Sequence, residues 1–214
     1  MNQRRSVHKL LHASDQRIGA VVLAGGLARR MGGQDKGLIS LAGKPMFLYA
    51  LTTVSGMVDQ CVVNANRNAE QYEILAHPFG ALVIPDALEG HLGPLAGLSA
   101  AIDSMDTDFI VMCPCDSPFL QAELISALIQ GCLQEDADIA VANDGERLQP
   151  VFCVVNRRIK SSLDTFLNSG QRKIDRWFEE CKVVQVPAAC FAESFRNINT
   201  EQERLLAELE LQDD

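Results

Sequence analysis

Residues 23–36 read Leu-Ala-Gly-Gly-Leu-Ala-Arg-Arg-Met-Gly-Gly-Gln-Asp-Lys. Glycines at 25, 26, 32 and 33 let backbone N–H groups converge on an anion and let a phosphate approach the main chain. Arg30 adds a forked donor and Lys36 a point charge to the same turn. The Walker A spacing is absent, because Gly33 is followed by Gln-Asp-Lys-Gly, and so is G-x-G-x-x-G; neither a P-loop nor a dinucleotide fingerprint is present. The plain alternative is a solvated strand-to-helix turn. Asp116 closes the run Phe-Ile-Val-Met-Cys-Pro-Cys-Asp, which puts a carboxylate at a strand tip, where it can bind Mg2+ between phosphates. Cys113 and Cys115 flank it, but sulfur suits Mg2+ poorly, so packing is the better role for both. Asn64 and Asp86 also end apolar runs. An amide and a carboxylate can read a nucleobase edge, the carboxylate accepting from an N–H pair, although either residue would also serve as an ordinary strand-end turn.

These residues need elements that bring strand tips together. Ile18–Leu23 is a buried-type strand running into the Gly-rich turn. Strands are expected at 61–66, 81–85 and 108–114, with helices from Pro45 to about 57, at 68–76, from Gly93 onward and at 121–133. Continuous apolar strands alternating with helices predict a mostly parallel sheet covered on both faces. Such sheets bind ligands at the carboxyl ends of their strands. The runs 138–143 and 149–156, joined by Asp-Gly-Glu-Arg, read as a late pair with at least one antiparallel member. A helical region at 157–180, a strand at 183–187 and a polar helix from about 200 follow, with Thr200 and Glu203 spaced as a capping box. Residues 1–17 show no clear periodicity and read as a mobile extension; 18–214 read as one domain without linker or repeat.

Composition narrows the function classes. The 214 residues are 47% hydrophobic and 22% charged, which excludes a disordered or fibrous chain. The net charge of −9 argues against nucleic acid and anionic membranes as partners. It is unevenly distributed: residues 1–17 carry +3 and 201–214 carry −5, leaving −7 between them, while 29–36 hold a local +2. Seven cysteines form no C-x-x-C pair, and most sit in apolar runs, as expected for reduced, buried thiols. No secretory h-region or apolar span is evident, and a cytoplasmic location is expected. No nucleophile elbow or His-Glu-x-x-His motif occurs.

Gly-Gly…Arg-Met-Gly-Gly-x-Asp-Lys resembles the signature loop of nucleotidyltransferases that join a nucleoside triphosphate to a phosphorylated acceptor and release pyrophosphate. Together with VVNANR (62–67), VIPD (83–86), GPLAG (93–97), CPCDSPF (113–119), DGERLQPVFCVVN (144–156), GQRK (170–173) and NINT (197–200), it is similar to the molybdenum cofactor guanylyltransferases (MobA). The resemblance spans about residues 18–203, and Leu23 favours the guanylyl branch over cytidylyl relatives, which usually have Thr there.

That resemblance implies an α/β, three-layer, mostly parallel twisted sheet with helices on both faces, a Rossmann-like nucleotidyltransferase fold with a late antiparallel strand. It implies transfer of GMP from GTP to the terminal phosphate of molybdopterin, with Lys36, Arg30 and Asp116 catalytic and Asp116 holding Mg2+. GTP would be bound by Leu23, Ala24, Gly25, Gly26, Gly33, Lys36, Asn64, Asp86, Gly93, Gly97 and Asp116, in the N-terminal half. The acceptor would be bound by Arg147, Arg172, Lys173, Asn197 and Asn199, in the C-terminal half. Transient contacts with molybdopterin-supplying proteins and recipient molybdoenzymes, and a monomeric state, belong to the same expectation. Two departures stand out: the longer N-terminal extension, and Glu201 where the family usually has Pro. Neither is expected to affect chemistry. Rival readings are a cytidylyl or sugar-phosphate nucleotidyltransferase, and a non-catalytic molybdopterin carrier, against which the intact Lys36 and Asp116 argue.

Overall fold

A computed structural model describes residues 16–28, 33–86 and 93–213. Eleven strands and seven α-helices are formed by these residues. The main strands are β1 (Ile18–Leu23), β6 (Gln60–Asn64), β7 (Leu82–Ile84), β8 (Phe109–Pro114), β9 (Ile139–Asn143), β10 (Leu148–Asn156) and β11 (Val183–Pro187), in the sheet order β11-β9-β10-β8-β1-β6-β7. Four pairings are parallel, whereas β10 runs antiparallel to both β8 and β9. This is the expected architecture, and its late antiparallel member is β10. Two small hairpins, β2 (Leu27–Ala28) with β3 (Gln34–Asp35) and β4 (Ser40–Leu41) with β5 (Lys44–Pro45), decorate the carboxyl side of β1.

The helices are α1 (Phe47–Ser55), α2 (Ala69–Ala76), α3 (Pro94–Ser104), α4 (Ala122–Gln134), α5 (Lys160–Asn168), α6 (Ile174–Phe178) and α7 (Glu201–Asp213). Alternation along β1 assigns the layers. Ala20 and Val22 face a core completed by Phe47 and Leu51 of α1, Tyr72 of α2 and Leu128 of α4. Val21 faces the opposite core, with Leu98 of α3, Phe166 of α5 and Trp177 of α6. Both faces are therefore apolar, which is why the strands read as continuous hydrophobic runs.

Several boundaries moved for identifiable reasons. Pro45 does not open α1; it pairs with Ser40 in the second hairpin, and the helix starts at Phe47. The strand expected over 61–66 stops at Asn64: the Ala65 N–H makes the last ladder bond, to the Ile84 carbonyl at 2.9 Å, and the partner strand β7 ends there. The helical region 157–180 is broken into a 3-10 turn, α5 and α6, with Gly170 at φ +85 closing the first helix. In β10 the register jumps between Gln149 and Cys153 around Pro150, which has no N–H to give to a ladder. Arg17, at the end of the expected extension, is joined to the sheet: its N–H donates to Asp108 at 2.7 Å and its guanidinium to Asp106 at 2.6 Å. Residues 1–15 of that extension lie outside the described residues.

A third, smaller core brings the C-terminal segment onto the second hairpin. Leu41 and Met46, around the second hairpin, pack with Ile198 and with Ala207 of α7. Glu208 accepts the Ala42 N–H at 3.0 Å, and Arg204 donates to the Ser40 carbonyl at 3.3 Å. This clasp delivers the Asn-Ile-Asn segment to the carboxyl edge of the sheet.

Candidate functional site

The Gly-rich turn begins where β1 ends. The Leu23 carbonyl accepts the Cys115 N–H at 3.0 Å and the Asn64 carbonyl accepts the Ala24 N–H at 2.8 Å, so three parallel strand tips meet at the start of the turn. Its return is fixed by the first hairpin and by a bond from the Lys36 N–H to the Gly26 carbonyl at 3.2 Å. Gly33 takes φ +73, a left-handed conformation that other residues adopt at a cost. Asp35 is tied to α2 and its N-cap: the Tyr72 hydroxyl donates to it at 2.6 Å and the Asn68 amide at 3.1 Å. Burial raises the Tyr72 phenol far above its ordinary range, and Asp35 adds to the shift, so the hydroxyl stays a donor. Gly37 is required beside it, since a Cβ there would fall onto the Tyr72 hydroxyl. Lys36 is thus bracketed by two positions that Tyr72 holds.

The Lys36 ammonium donates to Asp116 Oδ2 and to Asn199 Oδ1, the latter at 2.6 Å. The Lys36 and Asp116 side chains are only 12% and 13% exposed, which makes this a largely desolvated pair rather than a surface one. The backbone of Asp116 is tied to the same segment, its carbonyl accepting the Ile198 N–H at 2.9 Å. Next to it, Ser117 donates to Asn197 Oδ1 at 2.7 Å. Asp116 Oδ1 is buried without a hydrogen-bond partner among the described residues. An orphaned carboxylate oxygen, with an amide oxygen nearby, is a hard donor set that fits a divalent cation completing its shell with phosphate oxygens. No cluster of three or more His, Cys, Asp or Glu side chains capable of holding a metal occurs among the described residues.

At the other end of the turn a cavity of about 320 Å3 is lined by Leu23, Gly25, Gly26, Asn64, Asp86 and Gly93, and also by Asn66 and Pro94. Six residues expected to bind nucleotide therefore share one wall. Asp86 accepts from the Asn64 amide at 3.0 Å and from the Asn66 amide at 2.8 Å. Gly97, on the buried side of α3, lies so close to Asn64 that a Cβ would overlap the Asn64 amide oxygen. Gly93 starts α3 at φ +84. Ala24 is buried beside the turn.

The expected acceptor residues divide into two groups. Asn197 and Asn199 join the Asp116 cluster. Arg147, Arg172 and Lys173 do not: they sit on two other loops. Arg147 is 78% exposed and 3.9 Å from Asp144, whose carboxyl is held below its usual range first by the Arg147 backbone N–H. Arg172 donates to the carbonyls of Leu167 and Gln171 at 2.6 and 2.5 Å, and Lys173 is exposed. Arg30 lies outside the described residues.

Sequence reasoning gave no site role to Asn66, Arg67, Tyr72 or Ser117, and read Glu203 only as half of a capping box. The signal for Asn66 was present, because Asn64 and Asn66 two residues apart share one side of an extended chain. Arg67 donates to the Gly25 carbonyl at 3.1 Å. Glu203 accepts the N–H groups of Asn199 and Thr200 at 2.7 and 2.9 Å while Thr200 accepts the Glu203 N–H at 3.2 Å, so the expected capping box also supports the residue that touches Lys36.

Comparison with known proteins bears on the family and the fold. Residues 20–185 match the family model described as the MobA-like NTP transferase domain. The chain is 44% identical over 191 residues to a molybdenum cofactor guanylyltransferase of Shewanella frigidimarina, covering 89% of this chain and 95% of that protein. It is 43% identical to the protein of the same name from Shewanella amazonensis, covering 87% and 93%. Among solved structures it resembles the molybdopterin-guanine dinucleotide biosynthesis protein A of Archaeoglobus fulgidus, with a TM-score of 0.77, 26% identity, and coverage of 92% of this chain and 100% of the other.

Proposed function

The chain belongs to the molybdenum cofactor guanylyltransferase family, within the MobA-like NTP transferases, and from that premise we propose how its site carries out guanylyl transfer. It is a nucleotidyltransferase that moves GMP from GTP to molybdopterin, forming the molybdopterin guanine dinucleotide. An oxygen of the molybdopterin phosphate attacks the α-phosphorus of GTP. The new P–O bond forms as the bond to the α,β-bridging oxygen breaks, and pyrophosphate leaves with that oxygen.

Positioning and charge neutralisation dominate such chemistry. In this reading the described parts of the turn, residues 23–28 and 33, present N–H groups to the triphosphate. Asn64 and Asp86 hold the base in the cavity beside it, between Gly93 and the turn. Lys36 exchanges its bond to Asp116 for one to a phosphate oxygen when nucleotide enters, freeing both oxygens of Asp116. Asp116, with Asn199 nearby, would hold Mg2+; the ion would neutralise phosphate charge as a Lewis acid. Asn197 and Asn199 face the acceptor side of this centre. Arg147, Arg172 and Lys173, on loops apart from it, grip the acceptor phosphate or pterin. Arg30 contributes a further cation.

Residues 18–214 form one domain on this reading, its N-terminal half binding nucleotide and its C-terminal half binding pterin. The protein acts in the cytoplasm as a monomer, with transient contacts to molybdopterin-supplying proteins and recipient molybdoenzymes. Among the described residues no helix is long and apolar enough to cross a membrane.

The observation that carries the proposal is the Lys36–Asp116–Asn199 cluster, tied through the Lys36 N–H to Gly26 in the wall of the Asp86 cavity. Pyrophosphate release should require GTP, Mg2+ and molybdopterin together. Preference for CTP would sink the guanylyl reading, and binding of both substrates without turnover would point to a carrier.

A further inference from the structure

The side chain of Asn66 takes no part in the scheme above, yet it is tied to Asp86 at both of its polar atoms. Its Nδ2 donates to Asp86 Oδ2 at 2.8 Å and its Oδ1 accepts the Asp86 backbone N–H at 2.7 Å. Asn64 Nδ2 donates to the other carboxylate oxygen at 3.0 Å. A carboxylate is otherwise nearly free to turn about its terminal torsion. Three hydrogen bonds, two of them reciprocal, fix both its plane and the backbone that carries it. Each oxygen keeps a second lone pair, so the fixed group can still accept two parallel N–H donors.

The Gly-rich turn lies against the same amide. A Cβ on Gly25 would come 3.3 Å from Asn66 Nδ2, and Arg67, the next residue, donates to the Gly25 carbonyl at 3.1 Å. Asn66 thus joins the wall that faces the base to the turn that faces the phosphates.

We propose that Asn66 is a positioning residue for base specificity, holding the Asp86 carboxylate in the plane that reads an adjacent ring N–H and exocyclic amino group together. This rests on the guanine reading of Asp86 given above. Inosine triphosphate is the discriminating probe, because it keeps the ring N–H and lacks the 2-amino group.

Competition binding of GTP and ITP to the full chain tests the proposal, with wild type, Asn66→Ala and Asn66→Asp compared and folding checked by thermal melting. Wild type should prefer GTP by about tenfold or more, the worth of one hydrogen bond to a charged acceptor. Asn66→Ala should narrow the preference to about threefold or less, mainly by weakening GTP, since a carboxylate free to turn no longer favours the second donor. Asn66→Asp keeps the shape but sets a carboxylate against Asp86, and should narrow it too. A purely structural role would weaken both nucleotides equally. An unchanged GTP/ITP ratio in folded variants overturns the inference and leaves the Asp86 reading standing. A wild type that binds GTP and ITP equally removes the Asp86 reading, and the inference with it.

Discussion

Lys36 meets three demands at one position: it ends the Gly-rich turn, neutralises Asp116 and bonds Asn199. Its partner Asp116 has one oxygen engaged by that ammonium and one buried with no hydrogen-bond partner among the described residues, which suits the proposed role of acquiring a further partner during turnover. Asp116→Ala should therefore lower kcat by about a thousandfold or more while the thermal transition persists, measured by pyrophosphate release and calorimetry. Near-normal turnover would remove Asp116 from the chemistry. Lys36→Ala deletes the cation proposed to meet phosphate, and kcat/KM for GTP should fall about a hundredfold. An unchanged response to GTP would contradict the phosphate cradle. The chemical types of both residues were readable in the sequence, but their mutual contact was not: eighty positions separate them, and spacing along a chain carries no distance between strand tips.

At the scale of elements, the C-terminal helix α7 does more than close the chain. Its capping box shares Glu203 with the Asn199 N–H, so the helix start and the Lys36 contact are mechanically one unit. Thr200→Ala should cost about 1 kcal/mol in urea unfolding, the usual worth of an N-cap hydroxyl. The Glu203 carboxyl is held below its ordinary value, first by the Asn199 N–H. A lowered folded-state value means its stabilisation is fully present above the ordinary glutamate pKa and disappears as pH falls through the lowered one. Wild type should thus be more stable than Glu203→Gln above the ordinary glutamate pKa of about 4.3, with the gap closing as pH falls below it; a gap that stays constant through that fall would refute the assignment. Most elements were legible in the sequence because both sheet faces are apolar and turn residues punctuate the runs. The two small hairpins were not. Segments such as Ser40–Leu41 and Lys44–Pro45 are too short for any periodicity and exist because Leu41 and Met46 pack against the returning C-terminal segment.

At the scale of the whole molecule, burial sorts the seven cysteines. Cys113, Cys115 and Cys153 are buried and desolvation pushes their thiols up, Cys61 and Cys132 are raised to about 12, and Cys181 to about 11. Cys190 is exposed. A thiol reagent should modify Cys190 first and Cys181 more slowly, with the remaining five reacting only in denaturant; rapid native labelling of Cys113 or Cys115 would mean the sheet tips beside Asp116 open readily. Charge follows the same logic of place. The net −9 describes the surface, whereas the cleft is defined by where cations and amide N–H groups gather against that background. Fold class, the Gly-rich turn, Asp116 and the family were determined by the sequence alone, because hydrophobic period and contiguous motifs are local properties of a chain. The tertiary structure alone decided that Asn199 lies on Lys36 across 163 positions, that Asn66 locks Asp86, and that Arg147, Arg172 and Lys173 stand on loops apart from both. These contacts depend on strand order and on a small core joining the second hairpin to the C-terminal segment, and no local pattern encodes either.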